Sequence, residues 1–127
     1  MGELLVIRHG QASFGADNYD KLSAAGHAQS AAVGKALRGS GWIPDRTITG
    51  TLIRQKETLA SMGFEAGTEH SGLNEYDFKD LLLARYKGDV PHLVNADRKT
   101  HFRTLRETVF QWQADEISGV AGTWGQF

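Results

Sequence analysis

Residues 4–11 read LLVIRHGQ. Four apolar residues in succession, with Val6 and Ile7 β-branched, have the pattern of a strand buried on both faces, as in a sheet covered by helices. The run ends in Arg8, His9 and Gly10 rather than in ordinary turn residues. In open α/β sheets ligands bind beyond the carboxyl ends of parallel strands, where loops and helix N-termini converge, and the tripeptide falls at such an end. Arginine offers a rigid fork of donors that matches phosphate oxygens, histidine a nucleophilic nitrogen near neutral pH, and glycine a backbone that can approach a ligand closely. Together they suit a phosphoryl group. Taken alone, the tripeptide reads equally well as a solvated loop leaving a strand.

Outward from this stretch, Ser23 is a good N-cap, and SAAGHAQSAAVGKALR (23–38) carries Ala28, Ala32, Val33, Ala36 and Leu37 at helical spacing before Gly39. Gly26 and Gly34 each cost such a helix about 1 kcal/mol relative to alanine, so close packing against the sheet is expected there. WIPDRTITG (42–50) gives a turn at Pro44-Asp45 and a short strand around Thr47 to Thr49, and a second helix runs from Leu52 to about Met62. Strand, helix, strand, helix in this order predicts an α/β fold with a parallel sheet and crossover connections. Residues 64–72 are expected to hold one more extended segment and Asp77 to Tyr86 a short helix. From Thr100 to Ile117, Phe102, Leu105, Val109 and Trp112 mark one face of a long amphipathic helix. The tail GVAGTWGQF (119–127) is glycine-rich and apolar, and the three tryptophans read as core or loop anchors.

GTLIRQKETL (50–59) places Arg54 in the first turn of the second helix, just past the second strand. An isolated arginine there is an ordinary helix-surface residue. Combined with the first strand, it puts a second guanidinium on the same sheet edge, beside a helix N-terminus that also favours anions. The ordered set VIRHGQ (6–11), LSAAGHAQSAAVGKAL (22–37), TGTLIRQKETL (49–59) and LNEYDF (73–78) resembles the histidine phosphatase superfamily, the phosphoglycerate mutase-like family, over most of residues 3–80.

The resemblance implies a three-layer fold, with a mostly parallel central sheet flanked by helices, forming a single domain over residues 1–127. It implies that His9 attacks a phosphomonoester in line to form a phosphohistidine, and that Arg8, Arg54, Gly10 and Gln11 bind the phosphate. Glu75 matches the family's general acid and base; without that context it is a loop carboxylate in solvent, and Asp77 is the alternative. Neither a cofactor nor a metal is implied, because guanidinium groups can neutralise the charge of phosphoryl oxygens. The implied activity is a metal-independent phosphomonoester hydrolase of histidine acid type. A mutase-type phosphotransferase and a phosphate-binding or regulatory module are the alternatives.

Three features depart from the family. Gln11 stands where many relatives carry glutamate, and the asparagine common a few residues later has no match at Gly15, leaving Ser13 or a backbone amide as a substitute. The family's late second histidine, commonly followed by glycine, has no counterpart, so the chain is expected to be the N-terminal part of a longer phosphatase that lacks the last strands. Uncovered sheet edge and helix surface would favour association, so a homo-oligomer is among the expected states.

Composition bounds the rest. In 127 residues, 14 basic and 15 acidic side chains give a net charge of −1, which supplies no general attraction to nucleic acid or an anionic membrane. The expected partner is a small phosphorylated substrate. No cysteine is present, which excludes disulfides and thiolate metal sites, and His70, His92 and His101 show no metal-ligand spacing. His27 is expected to serve packing or surface. MGELLVIRHG lacks the basic region and apolar length of a signal peptide, and the expected location is cytoplasmic.

Overall fold

A computed structural model of the chain describes residues 2–117 and 122–127. It divides into two units, Met1–Asn74 and Glu75–Phe127.

The first unit is built on two helices. Helix α1, Ala24–Gly39, starts where Ser23 accepts a hydrogen bond from the Gly26 N–H, and α2 spans Ile53–Ser61. The buried positions of α1 are Gly26, Ser30 and Gly34, and those of α2 with its C-cap are Arg54, Thr58 and Met62. Both stripes advance by four residues, which is the ridge spacing along which two helices interdigitate. A Cβ on Gly34 would collide with the Met62 carbonyl, and one on Gly26 with the Gln11 backbone. The glycines therefore admit the end of α2 and the Gln11 segment rather than a sheet. The alanines expected to face inward, Ala28, Ala32 and Ala36, are exposed together with Val33. They occupy the flanks of a stripe whose centre needs the smallest side chain.

Around α2, strands β1 (Ile48–Thr49) and β2 (Thr68–Glu69) pair in parallel, with Ile48 opposite Thr68 and Thr49 opposite Glu69. This is the strand–helix–strand crossover read from residues 47–72. The chain is thus a small α/β protein with a two-stranded parallel sheet and helices. Residues 4–7, expected as a buried strand, form none: Leu4 and Val6 are 89% and 85% exposed. Among the described residues, the only multi-residue ladder is that of β1 with β2, and no ladder bond reaches the 4–7 run. Apolarity makes a segment able to pair but supplies no partner.

In the second unit, α3 (Phe78–Arg85) is capped by Asp77, α4 covers His92–Ala96, and α5 (Arg98–Gln113) is capped by Asp97. Leu81, Leu82, Val94, Thr108 and Trp112 form its core. The buried face of α5 runs through His101, Thr104, Thr108 and Trp112, so the expected helix has the right period but is rotated, leaving Phe102 half exposed. The rotation buries polar groups that have partners: His101 Nδ1 is 3.0 Å from the Val94 carbonyl, and Arg85 Nη1 donates to Thr108 Oγ1 at 2.9 Å. The helix stops at Gln113, short of Ile117. Trp112 is buried, with Tyr76, Trp124 and Phe127 packed around it and its Nε1 donating to the Gly122 carbonyl. Of the apolar tail, residues 119–121 lie outside the described residues.

Candidate active site

The backbone after His9 is fixed from both helices. Gly10 donates its N–H to Thr58 Oγ1 of α2 at 3.0 Å, and Gln11 donates its N–H to Gln29 Oε1 of α1 at 3.0 Å. Ser23 holds the other side, its N–H and hydroxyl both donating to the Gln11 carbonyl and its hydroxyl reaching Gln11 Oε1 at 3.0 Å. Gln11 is thus engaged by its neighbours in the first unit. Gly10 is buried, and a side chain there would press on the Gly26 carbonyl and the Ser30 hydroxyl, 2.8 Å from the latter. Only glycine lets this loop lie directly on α1.

The half-buried His9 ring places Nδ1 2.6 Å from the Gly10 carbonyl oxygen. A carbonyl can only accept, so Nδ1 carries the hydrogen, and in the neutral ring Nε2 carries the basic lone pair. Arg8, His9 and Gly10 line a cleft of about 140 Å³ with Ile7, Ser30 and Thr58. At roughly 30 Å³ per liquid water, that is room for a small anion or about five waters.

Arg54 is 8% exposed, and its guanidinium is turned to Asp20: Nη1 donates to Oδ1 at 2.9 Å. The Asp20 carboxylate also accepts from the Ile53 N–H at 2.8 Å and the Arg54 N–H at 3.3 Å. The helix N-terminus that the sequence offered to an anion therefore holds a carboxylate of the chain itself. Arg54 and Gln11 are not among the residues lining the cleft.

Glu75 opens the second unit on an exposed segment without regular structure. Its alternative, Asp77, accepts from the Asp80 N–H at 3.1 Å as the cap of α3. Three other histidines also have structural tasks. His27 Nδ1 is hydrogen-bonded to Ser61 Oγ at 2.7 Å, His70 Nδ1 accepts from the Gly72 N–H, and His101 lies under α4. Among the described residues, no group of three or more His, Asp or Glu side chains is placed to hold a metal ion, and no helix is long and apolar enough to cross a membrane.

Two participants escaped the sequence reading. Thr58 lies one helical turn after Arg54, a spacing that marks it as a neighbour on the same face. Asp20 carries no local mark, because its partners are 33 and 34 residues away.

The chain belongs to the histidine phosphatase superfamily: residues 4–110 match its branch 1. It is similar to a 2,3-bisphosphoglycerate-dependent phosphoglycerate mutase of Chelativorans sp. (strain BNC1), with 33% identity over 92 residues, covering 63% of this chain and 45% of that protein. The chain thus spans less than half the length of that relative. No solved structure matches.

Proposed function

We propose that the chain is part of a metal-independent phosphomonoester hydrolase that works through a phosphohistidine. The observation that carries this reading is the His9 Nδ1 hydrogen bond to the Gly10 carbonyl, which makes Nε2 the basic nitrogen of a neutral ring whose residue lines the cleft together with Arg8. In the first step Nε2 attacks phosphorus, a nitrogen–phosphorus bond forms and the bond to the ester oxygen breaks. Glu75 protonates the leaving alkoxide. In the second step a water attacks the phosphohistidine, Glu75 takes its proton, and inorganic phosphate leaves with His9 restored. Dividing the displacement in two lowers each barrier. Arg8, Arg54, Gly10 and Gln11 are the proposed phosphate ligands, with the two guanidinium groups stabilising the developing charge.

Membership in the superfamily supports the wider frame: a three-layer, mostly parallel sheet flanked by helices, one domain encompassing residues 1–127, a small phosphorylated substrate and a cytoplasmic setting. The match runs unbroken across residues 74–75, which favours one domain over two.

A mutase-type phosphotransferase is the second reading, favoured by the name of the Chelativorans relative. Hydrolysis of p-nitrophenyl phosphate in EDTA, abolished by His9→Ala, is the expected result. Undiminished turnover by the alanine variant removes His9 from the chemistry. Phosphate binding without turnover instead favours a binding module, and transfer of the phosphoryl group to a sugar-acid acceptor in preference to water favours the mutase.

A further inference from the structure

Asp20 lies outside the motifs that identify the site, yet both its oxygens are committed to Arg54 and the residue before it. Oδ2 takes the Ile53 N–H at 2.8 Å, while Oδ1 takes the Arg54 N–H at 3.3 Å and Arg54 Nη1 at 2.9 Å. We propose that Asp20 is a positioning residue for the phosphate site, holding the Arg54 guanidinium in a set direction before an anion arrives. The proposal rests on the reading of Arg54 as a phosphate ligand.

A free arginine is rotamer-rich, and ordering it on binding subtracts from affinity; an arginine already ordered avoids that loss. The carboxylate is suited to this because it is itself anchored to two backbone N–H groups of the helix that carries Arg54. It moves with that helix rather than swinging against it. Tyr19, the preceding residue, adds a second restraint: its ring centroid is 5.8 Å from Arg54 Cζ, within cation–π range. Consecutive residues 19 and 20 thus touch one face and one end of the same cation. A guanidinium carries five N–H donors, so one held by Asp20 is compatible with others addressing phosphate oxygens. The loop that presents the pair is itself secured: Ala12 bridges Leu22, Ser13 N–H donates to the Lys21 carbonyl at 2.8 Å, and Leu22 N–H donates to Glu57 Oε2 at 2.7 Å.

Asp20 could act in the opposite sense, as a resident anion that a phosphate must displace. The two roles predict opposite signs when its charge is removed. Asp20→Asn keeps an oxygen for the backbone N–H groups and deletes the charge; Asp20→Ser does the same with a shorter side chain, should the first variant fail to fold. Inorganic phosphate is titrated into wild type, Asp20→Asn, Arg54→Ala and the double variant, and the ¹⁵N signals of the Arg54 guanidinium are recorded in parallel. The expected result is phosphate binding weakened about tenfold by Asp20→Asn, a charge-assisted contact's worth. No further weakening is expected when it is added to Arg54→Ala, and resolved Arg54 Nη signals should average only once Asp20 is changed. Tighter or unchanged binding in Asp20→Asn overturns the proposal, and so do losses that add in the double variant, which would mark a general effect on folding. Wild type that binds no phosphate while Arg54 stays locked refutes the phosphate reading, and with it the positioning role, whereas unlocked Arg54 signals in wild type refute the clamp alone.

Discussion

Thr58 ties Gly10 to the helix of Arg54: its hydroxyl accepts from the Gly10 N–H at 3.0 Å and donates to the Arg54 carbonyl one turn earlier at 2.6 Å. One buried oxygen thus links the loop of the proposed nucleophile to the helix of a proposed phosphate ligand. Thr58→Val keeps the shape but leaves the Gly10 N–H buried without an acceptor, a loss of about 1–3 kcal/mol. Thr58→Ser should recover most of it. Urea denaturation of the three proteins checks this, and equal midpoints for the valine and serine variants would contradict it.

The glycines of α1 are expected to respond in opposite directions. Gly34→Ala would drive a methyl group into the Met62 carbonyl and force α1 from α2, costing about 1–3 kcal/mol. Gly39→Ala meets open space, so it should stabilise the chain by about 0.4–1 kcal/mol through the unfolded state. Paired thermal melts test both signs.

Asp97 caps α5, its Oδ2 accepting from the Thr100 N–H at 2.8 Å and from the Thr100 hydroxyl. These hydrogen bonds, the side-chain one foremost, hold its carboxyl below the ordinary value of 3.8. Because the folded-state value is the lower one, the contribution to stability is complete above about pH 3.8 and is lost as pH falls through the lowered value. Asp97→Ala should therefore melt below wild type at pH 7, and the gap should narrow in strong acid. A gap of constant size would show that ionisation of Asp97 plays no part.

Val6 and Leu81 test what burial means in this chain. Val6 is 85% exposed, so Val6→Lys should change stability by no more than about 0.5 kcal/mol. Leu81 is sealed in the second unit, and Leu81→Lys should leave that unit unfolded. Circular dichroism and amide exchange separate the two outcomes, and severe loss from Val6→Lys would mean that the 4–7 run is packed in solution.

Elements whose signals are local were legible in the sequence. Ser23 and Asp77 announced their helices, the residues between Thr47 and Met62 gave a strand and a helix, and the ordered motifs identified the family. The phases of the helices were not legible. On α1 the inward positions are Gly26, Ser30 and Gly34, which a reading based on apolarity passes over in favour of alanine. On α5, threonine and histidine face inward because Arg85 and the Val94 carbonyl satisfy them, and such partners come from elsewhere in the chain. The 4–7 run failed for a related reason, since a strand is a property of two segments. In the candidate site, the sequence named His9 and Arg54 but could not show that Asp20 meets Arg54.

The acceptor that settles the His9 tautomer is the carbonyl of the very next residue. The protonated nitrogen of a neutral imidazole is set by the acceptor it donates to, and that acceptor can come from any part of a fold. Here the instruction is written within a dipeptide, so insertions, truncations or domain rearrangements that leave the local loop conformation intact should leave the imidazole's chemistry intact as well. The loop is in this sense a portable reagent, one that could be grafted onto another scaffold able to hold Gly10 in the same pose.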